Sequence, residues 1–103
     1  MNIRVAIVED DEVVRENLFF LINATSGFSC VAACASGEEA LERLKTVSPE
    51  VVLMDIHLPG QSGITCVERL RVLLPQVQVI MLTIEEDSMH TIEIYGLFFE
   101  HSA

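Results

Sequence analysis

Apolar residues in this chain fall into short continuous runs, separated by segments in which they recur every three or four positions. Ile3-Arg4-Val5-Ala6-Ile7-Val8 and Val51-Val52-Leu53-Met54 are runs of the first kind. Both are short apolar runs that stop at acidic residues, which predicts strands buried on both faces of a sheet. Pro49 and Pro59-Gly60 bound the second run. Phe28 to Ala35 alternates loosely and predicts another strand. Val77-Gln78-Val79-Ile80-Met81-Leu82-Thr83 predicts a fourth, with Thr83 at its carboxyl end.

The intervening segments have helical spacing. Val14, Leu18, Leu21 and Ile22 mark a helix from Glu12 to Thr25; its early acids suit the positive helix start, and Gly27 lies just past its end. Ser36-Gly37-Glu38-Glu39 is a capping box that opens a second helix, with Ala40, Leu41 and Leu44 facing inward and the end near Val47. Ile64, Val67, Leu70 and Leu74 line a third helix from Gly63 to Leu74, stopped by Pro75. Strands alternating with helices through short connections imply right-handed crossovers, hence an α/β fold with an open parallel sheet and helices on both faces.

That topology has a chemical consequence. Two predicted strands end in acid, Glu9-Asp10-Asp11 after the first and Asp55 after the central one, and Thr83 ends the fourth. All therefore reach the carboxyl edge of the sheet, where open α/β folds place their ligands. Taken singly, each acid reads as a solvated loop residue. Together they repel one another strongly, which a hard divalent cation would offset; Mg²⁺ suits one or two carboxylates plus water and phosphate oxygens. Such a site can neutralise a phosphoryl group delivered to a carboxylate nucleophile.

With 103 residues, the chain has room for one domain, and half of its residues are hydrophobic. There is no run long enough to span a bilayer and no leader-like opening, so the expectation is a cytoplasmic protein without a membrane partner. Sixteen acids against six Lys and Arg give a formal charge of −10, so direct nucleic acid binding by this chain is not expected. Cys30, Cys34 and Cys66 have no zinc-like spacing and read as small apolar residues. Cys30 and Cys34 share a predicted strand and are too far apart along it to bond to each other.

Glu9-Asp10, Asp55 with Leu58-Pro59-Gly60 and Gly63, and Thr83 together resemble the receiver domains of two-component response regulators. The continuation Val14-Arg15-Glu16 is closest to the class with a LuxR-type C-terminal output domain. The resemblance covers about residues 3 to 88 and implies a flavodoxin-like or CheY-like fold. It implies that Asp55 accepts a phosphoryl group from a histidine kinase, with Mg²⁺ held by Asp10, by Glu9 through water, by Asp55 itself and by the backbone carbonyl of His57. Asp11 is a less certain neighbour of that ion. Thr83 takes the role of switch hydroxyl. The chain would then be a phosphoprotein in transcription regulation and not an enzyme. An aspartyl phosphatase fits less well, since such sites usually carry a second acid where this chain has His57.

After Ser88 the resemblance stops. A receiver would continue with a fourth helix, a fifth strand ending in a lysine that pairs with the phosphoryl group, and a last helix. No lysine follows Lys45 here, and residues 89–103 form an atypical apolar tail instead. Met89, Ile92, Tyr95 and Phe99 fit one helical face, while the alternation around Ile92 and Ile94 also allows a strand. Too few residues separate Thr83 from Thr91 for a helical crossover, so a tail strand beside the fourth would run antiparallel. Tyr95 reads as a packing residue before a displaced switch aromatic, and His90 and His101 as solvated residues. Without a parallel fifth strand, the fourth strand is expected to be an open edge, favouring a homodimer or domain-swapped dimer through strand four or the tail. Switching is expected to be impaired by the missing lysine. The alternative is a phosphorylation-independent interaction module on the same scaffold.

Overall fold

The short apolar runs become strands and the periodic segments helices, in the order β1 (Ile3–Val8), α1 (Glu12–Ala24), β2 (Phe28–Cys34), α2 (Gly37–Val47), β3 (Val51–Asp55), α3 (Gly63–Leu73), β4 (Gln78–Glu86) and β5 (Ile92–Glu100). The computed structural model describes residues 2–58, 63–86 and 92–100, of which 83–86 and 92–100 are described by backbone alone. The sheet order is β2-β1-β3-β4-β5. The first four strands are parallel, with Ile7 opposite Leu53 and Leu53 opposite Ile80.

Local chemistry sets the helix ends. Asp11 caps α1 by accepting from Val14 N at 3.1 Å, and Ser36 caps α2 by accepting from Glu39 N at 3.1 Å. Glu39 Oε1 reaches back to Ala35 N at 2.9 Å, one residue before the cap, so the capping box is made in a shifted form. After α1 the chain reverses through Gly27 at φ +91°, a conformation open to glycine at little cost. The last carbonyls of α2 are met by Arg4, which donates to Val47 O at 2.5 Å and Ser48 O at 2.7 Å.

Strand alternation divides the core between the two faces. Ala6, Val8, Cys34, Val52, Met54, Val79 and Met81 meet Ala40 and Leu44 of α2 and Cys66, Val67 and Leu70 of α3 in one apolar cluster. The opposite face, carrying Ile7, Leu53 and Ile80, is covered by α1 over β1 and β2. Ile7 is fully buried there, whereas Leu53 and Ile80 are only half-buried. Cys34 and Cys66 are buried, Cys30 is half-buried and all three are free thiols. Burial pushes the Cys34 and Cys66 thiols up to about 11, which keeps them protonated and inert.

The end of the chain requires two corrections. Thr83 does not end the fourth strand, because β4 continues to Glu86. Nor is β4 an open edge: β5 pairs with it antiparallel from Val79↔Glu100 to Glu86↔Ile92, and this ladder is what prolongs β4 past the ends of its parallel neighbours. Of the two tail conformations the sequence allowed, 92–100 takes the strand. The register slips between Thr83 and Ile84, leaving Tyr95 as the extra residue of a bulge. His90 and His101 lie outside the described residues. Among the described residues, no helix is long and apolar enough to cross a membrane.

Candidate functional site

Parallel pairing brings the site together. Val8 lies opposite Met54, so Glu9 and Asp55, one residue further along each strand, leave adjacent strands on the same side of the sheet. The backbone then bends at Asp10, and one carboxylate oxygen from each of Glu9, Asp10 and Asp55 falls within 4.8 Å of the others. Glu9 is 4% exposed and Asp55 7%, whereas Asp10 opens to solvent.

Each member is held by its neighbours. The Glu9 backbone N–H donates to Cys34 O at 2.9 Å, and its Oε2 accepts from Asp11 N at 3.1 Å. Asp55 Oδ1 accepts from His57 N at 3.0 Å, so the loop after β3 folds back over the carboxylate. The loop is drawn in further by Ile56 N, which donates to Leu82 O at 3.1 Å, and by Gly63 N, which donates to Ile56 O at 3.1 Å. Gly63 is required sterically at this point: a Cβ there would collide with the Asp55 carbonyl oxygen and lie 3.0 Å from Ile56 Cα.

The electrostatics follow from this packing. At an effective dielectric of about 20, two full charges at this spacing repel by roughly 3 kcal/mol. Burial, together with the neighbouring Asp55 carboxylate, pushes Glu9 up to about 8, partly opposed by the Asp11 N–H. Without a cation, burial and the Asp55 charge thus favour the protonated form of Glu9. The fit to a cation is direct, since clustered carboxylates, two of them buried, are the oxygen donor set a small hard divalent ion takes.

The structure brings together Glu9, Asp10 and Asp55 and leaves Asp11 out. The Asp11 carboxylate caps α1 through Val14 N and is not one of the three grouped carboxylates, although its backbone N–H reaches Glu9. Its place just before the periodic apolar run was the signal for that cap. His57 contributes its backbone to the site, and its side chain is exposed. Thr83 lies on β4 one residue beyond Leu82, the partner of Asp55; its side chain is outside the described residues. A residue with no role assigned from sequence also appears: Arg15 Nη1 donates to Glu9 O at 3.0 Å and Asp10 O at 3.3 Å.

Residues 5–97 match the family model of the response regulator receiver domain. The transcriptional regulatory protein LnrK of Bacillus subtilis (strain 168) is 36% identical over 86 residues, covering 84% of this chain and 39% of that protein. A two-component response regulator of the LuxR family from Aurantimonas sp. SI85-9A1 superposes with a TM-score of 0.77 at 29% identity, over 86% of this chain and 64% of that one. CheY in the CheX-CheY-BeF3-Mg+2 complex from Borrelia burgdorferi gives 0.71 at 28% identity, over 84% and 65%. The chain thus spans 39% of the length of LnrK and 18–42% of the other curated relatives compared with it. With a CheY-like parallel sheet, an acidic trio at its carboxyl edge and a family match running from β1 into β5, the chain belongs to the receiver domains of two-component response regulators.

Proposed function

We propose that Asp55 accepts a phosphoryl group from the phosphohistidine of a histidine kinase in a Mg²⁺-dependent reaction. The carrying observation is the convergence of Glu9, Asp10 and Asp55 within 4.8 Å, with Asp55 nearly buried at the end of β3. An oxygen of the Asp55 carboxylate attacks phosphorus as the phosphorus–nitrogen bond breaks; the imidazole leaves and an acyl phosphate remains. Glu9, Asp10, Asp55 and the His57 backbone carbonyl would hold the cation. When bound, Mg²⁺ would supply positive charge to the phosphoryl oxygens and offset the carboxylate repulsion. The Mg-containing CheY complex among the structural relatives supports this choice of ion.

In this reading the chain is a modified signalling module and not an enzyme. Thr83 is the hydroxyl that senses the phosphoryl group, and transcription regulation is the output, as in LnrK. No lysine follows Lys45 within residues 46–103; without such a cation to pair with the phosphoryl group, phosphorylation is slower and switching weaker than in a receiver that has one. A second reading, a phosphorylation-independent interaction module, draws on the half-covered face at Leu53 and Ile80. Incubation with Mg²⁺ and acetyl phosphate discriminates them. The first predicts an acid-stable, base-labile mass increase of one phosphoryl group, absent in Asp55→Asn. An unchanged mass in the wild type refutes it.

A further inference from the structure

We infer that Arg15 is a positioning residue for the cation site, acting through the backbone and not through charge pairing. The inference rests on the reading of Glu9, Asp10 and Asp55 as a metal site. In an extended strand, successive carbonyls point to opposite sides. Here the carbonyls of Glu9 and Asp10 both accept from one nitrogen, Arg15 Nη1, at 3.0 and 3.3 Å. A shared donor for consecutive carbonyls requires the chain to have turned between them, and the bend is at Asp10. The turn puts the carbonyls on the Arg15 side and leaves the two carboxylates to converge on Asp55. The guanidinium therefore fixes the one backbone feature that brings Asp10, the exposed member, into the trio.

The anchor is rigid at its base. Arg15 lies at the start of α1, whose first turn is capped by Asp11 through Val14 N, and its side chain is half-buried. Asp11 also holds the other side of the bend, its N–H donating to Glu9 Oε2 at 3.1 Å. The acidic turn is thus gripped at the Glu9 carboxylate by the cap residue and at two carbonyls by Arg15. Groups that orient metal ligands without touching the ion typically contribute about 10–100-fold to affinity.

The experiment is calorimetric titration of Mg²⁺ alone into the wild type, Arg15→Ala, Arg15→Lys and Arg15→Gln, with metal-free melting of each as the structural control. Arg43→Ala, which breaks a surface ion pair with Glu39, serves as a second control. Arg15→Ala is expected to weaken Mg²⁺ binding about tenfold or more. Arg15→Lys, which can reach one carbonyl, is expected to recover part of the loss, and Arg43→Ala to bind like the wild type. Should Arg15→Ala fail to fold, Arg15→Gln makes the same comparison. Wild-type affinity in a folded Arg15 variant overturns the inference while the metal-site reading stands. A wild type that binds no Mg²⁺ at millimolar concentration overturns both.

Discussion

Replacing Glu9 with Gln removes a titrating group from a buried position while keeping its shape, so it isolates the energetic cost of the acidic cluster. Glu9 has an ordinary value of 4.5 and is pushed up to about 8 in the fold, first by burial and then by Asp55 beside it. The folded state therefore binds a proton that the unfolded chain has already released across that interval. Stability must fall as pH rises through it: the contribution is fully present below 4.5 and is lost once pH passes about 8. One pKa unit corresponds to about 1.4 kcal/mol, so the interval sets a ceiling of roughly 4–5 kcal/mol. For a domain of this size, each 1 kcal/mol moves the melting temperature by about 4–8 °C. The assay is thermal melting in EDTA from pH 5 to 9 for the wild type and Glu9→Gln. The difference between the two curves cancels the general repulsion of a −10 chain. The wild type is expected to lose at least ~1 kcal/mol relative to the variant over this range, and millimolar Mg²⁺ is expected to restore it by taking the place of the proton. Parallel curves without metal would show that Glu9 ionises freely in the fold and would refute the account of the cluster.

Two other perturbations test the packing around the site. Gly63→Ala places a methyl group against the Asp55 carbonyl oxygen. It is expected to destabilise the fold by about 1–3 kcal/mol and to slow phosphorylation by displacing the loop after β3; urea melting and the acetyl phosphate assay check the two effects. Self-association is expected through the half-covered face at Leu53 and Ile80 and the outer edge of β5, since β4 is already paired. A monomer at micromolar concentration by sedimentation velocity would rule that out.

Much of the molecule could be read locally. Run length and an acidic stop mark β1 and β3, helical spacing marks α1 to α3, and Ser36 and Gly27 sit where a cap and a reversal need them. These features depend on residues within a few positions of one another, so a linear pattern carries them. The acids at two strand exits were legible for the same reason: in a parallel sheet, exits share an edge.

What only the tertiary structure decided depends on contacts between distant or competing partners. Asp11 looks like its neighbours in the sequence, yet the first turn of α1 offers it an unpaired N–H and takes it out of the cluster. Arg15 joins two carbonyls that can meet one donor only after the chain bends at Asp10. The direction of β5 and the length of β4 are set by their pairing, with Ile80 opposite Phe99, and either a helix or a strand satisfied the apolar spacing of that segment. Spacing along the chain specifies which face of an element is apolar; which hydrogen-bonding group finds which partner is settled only when the elements pack.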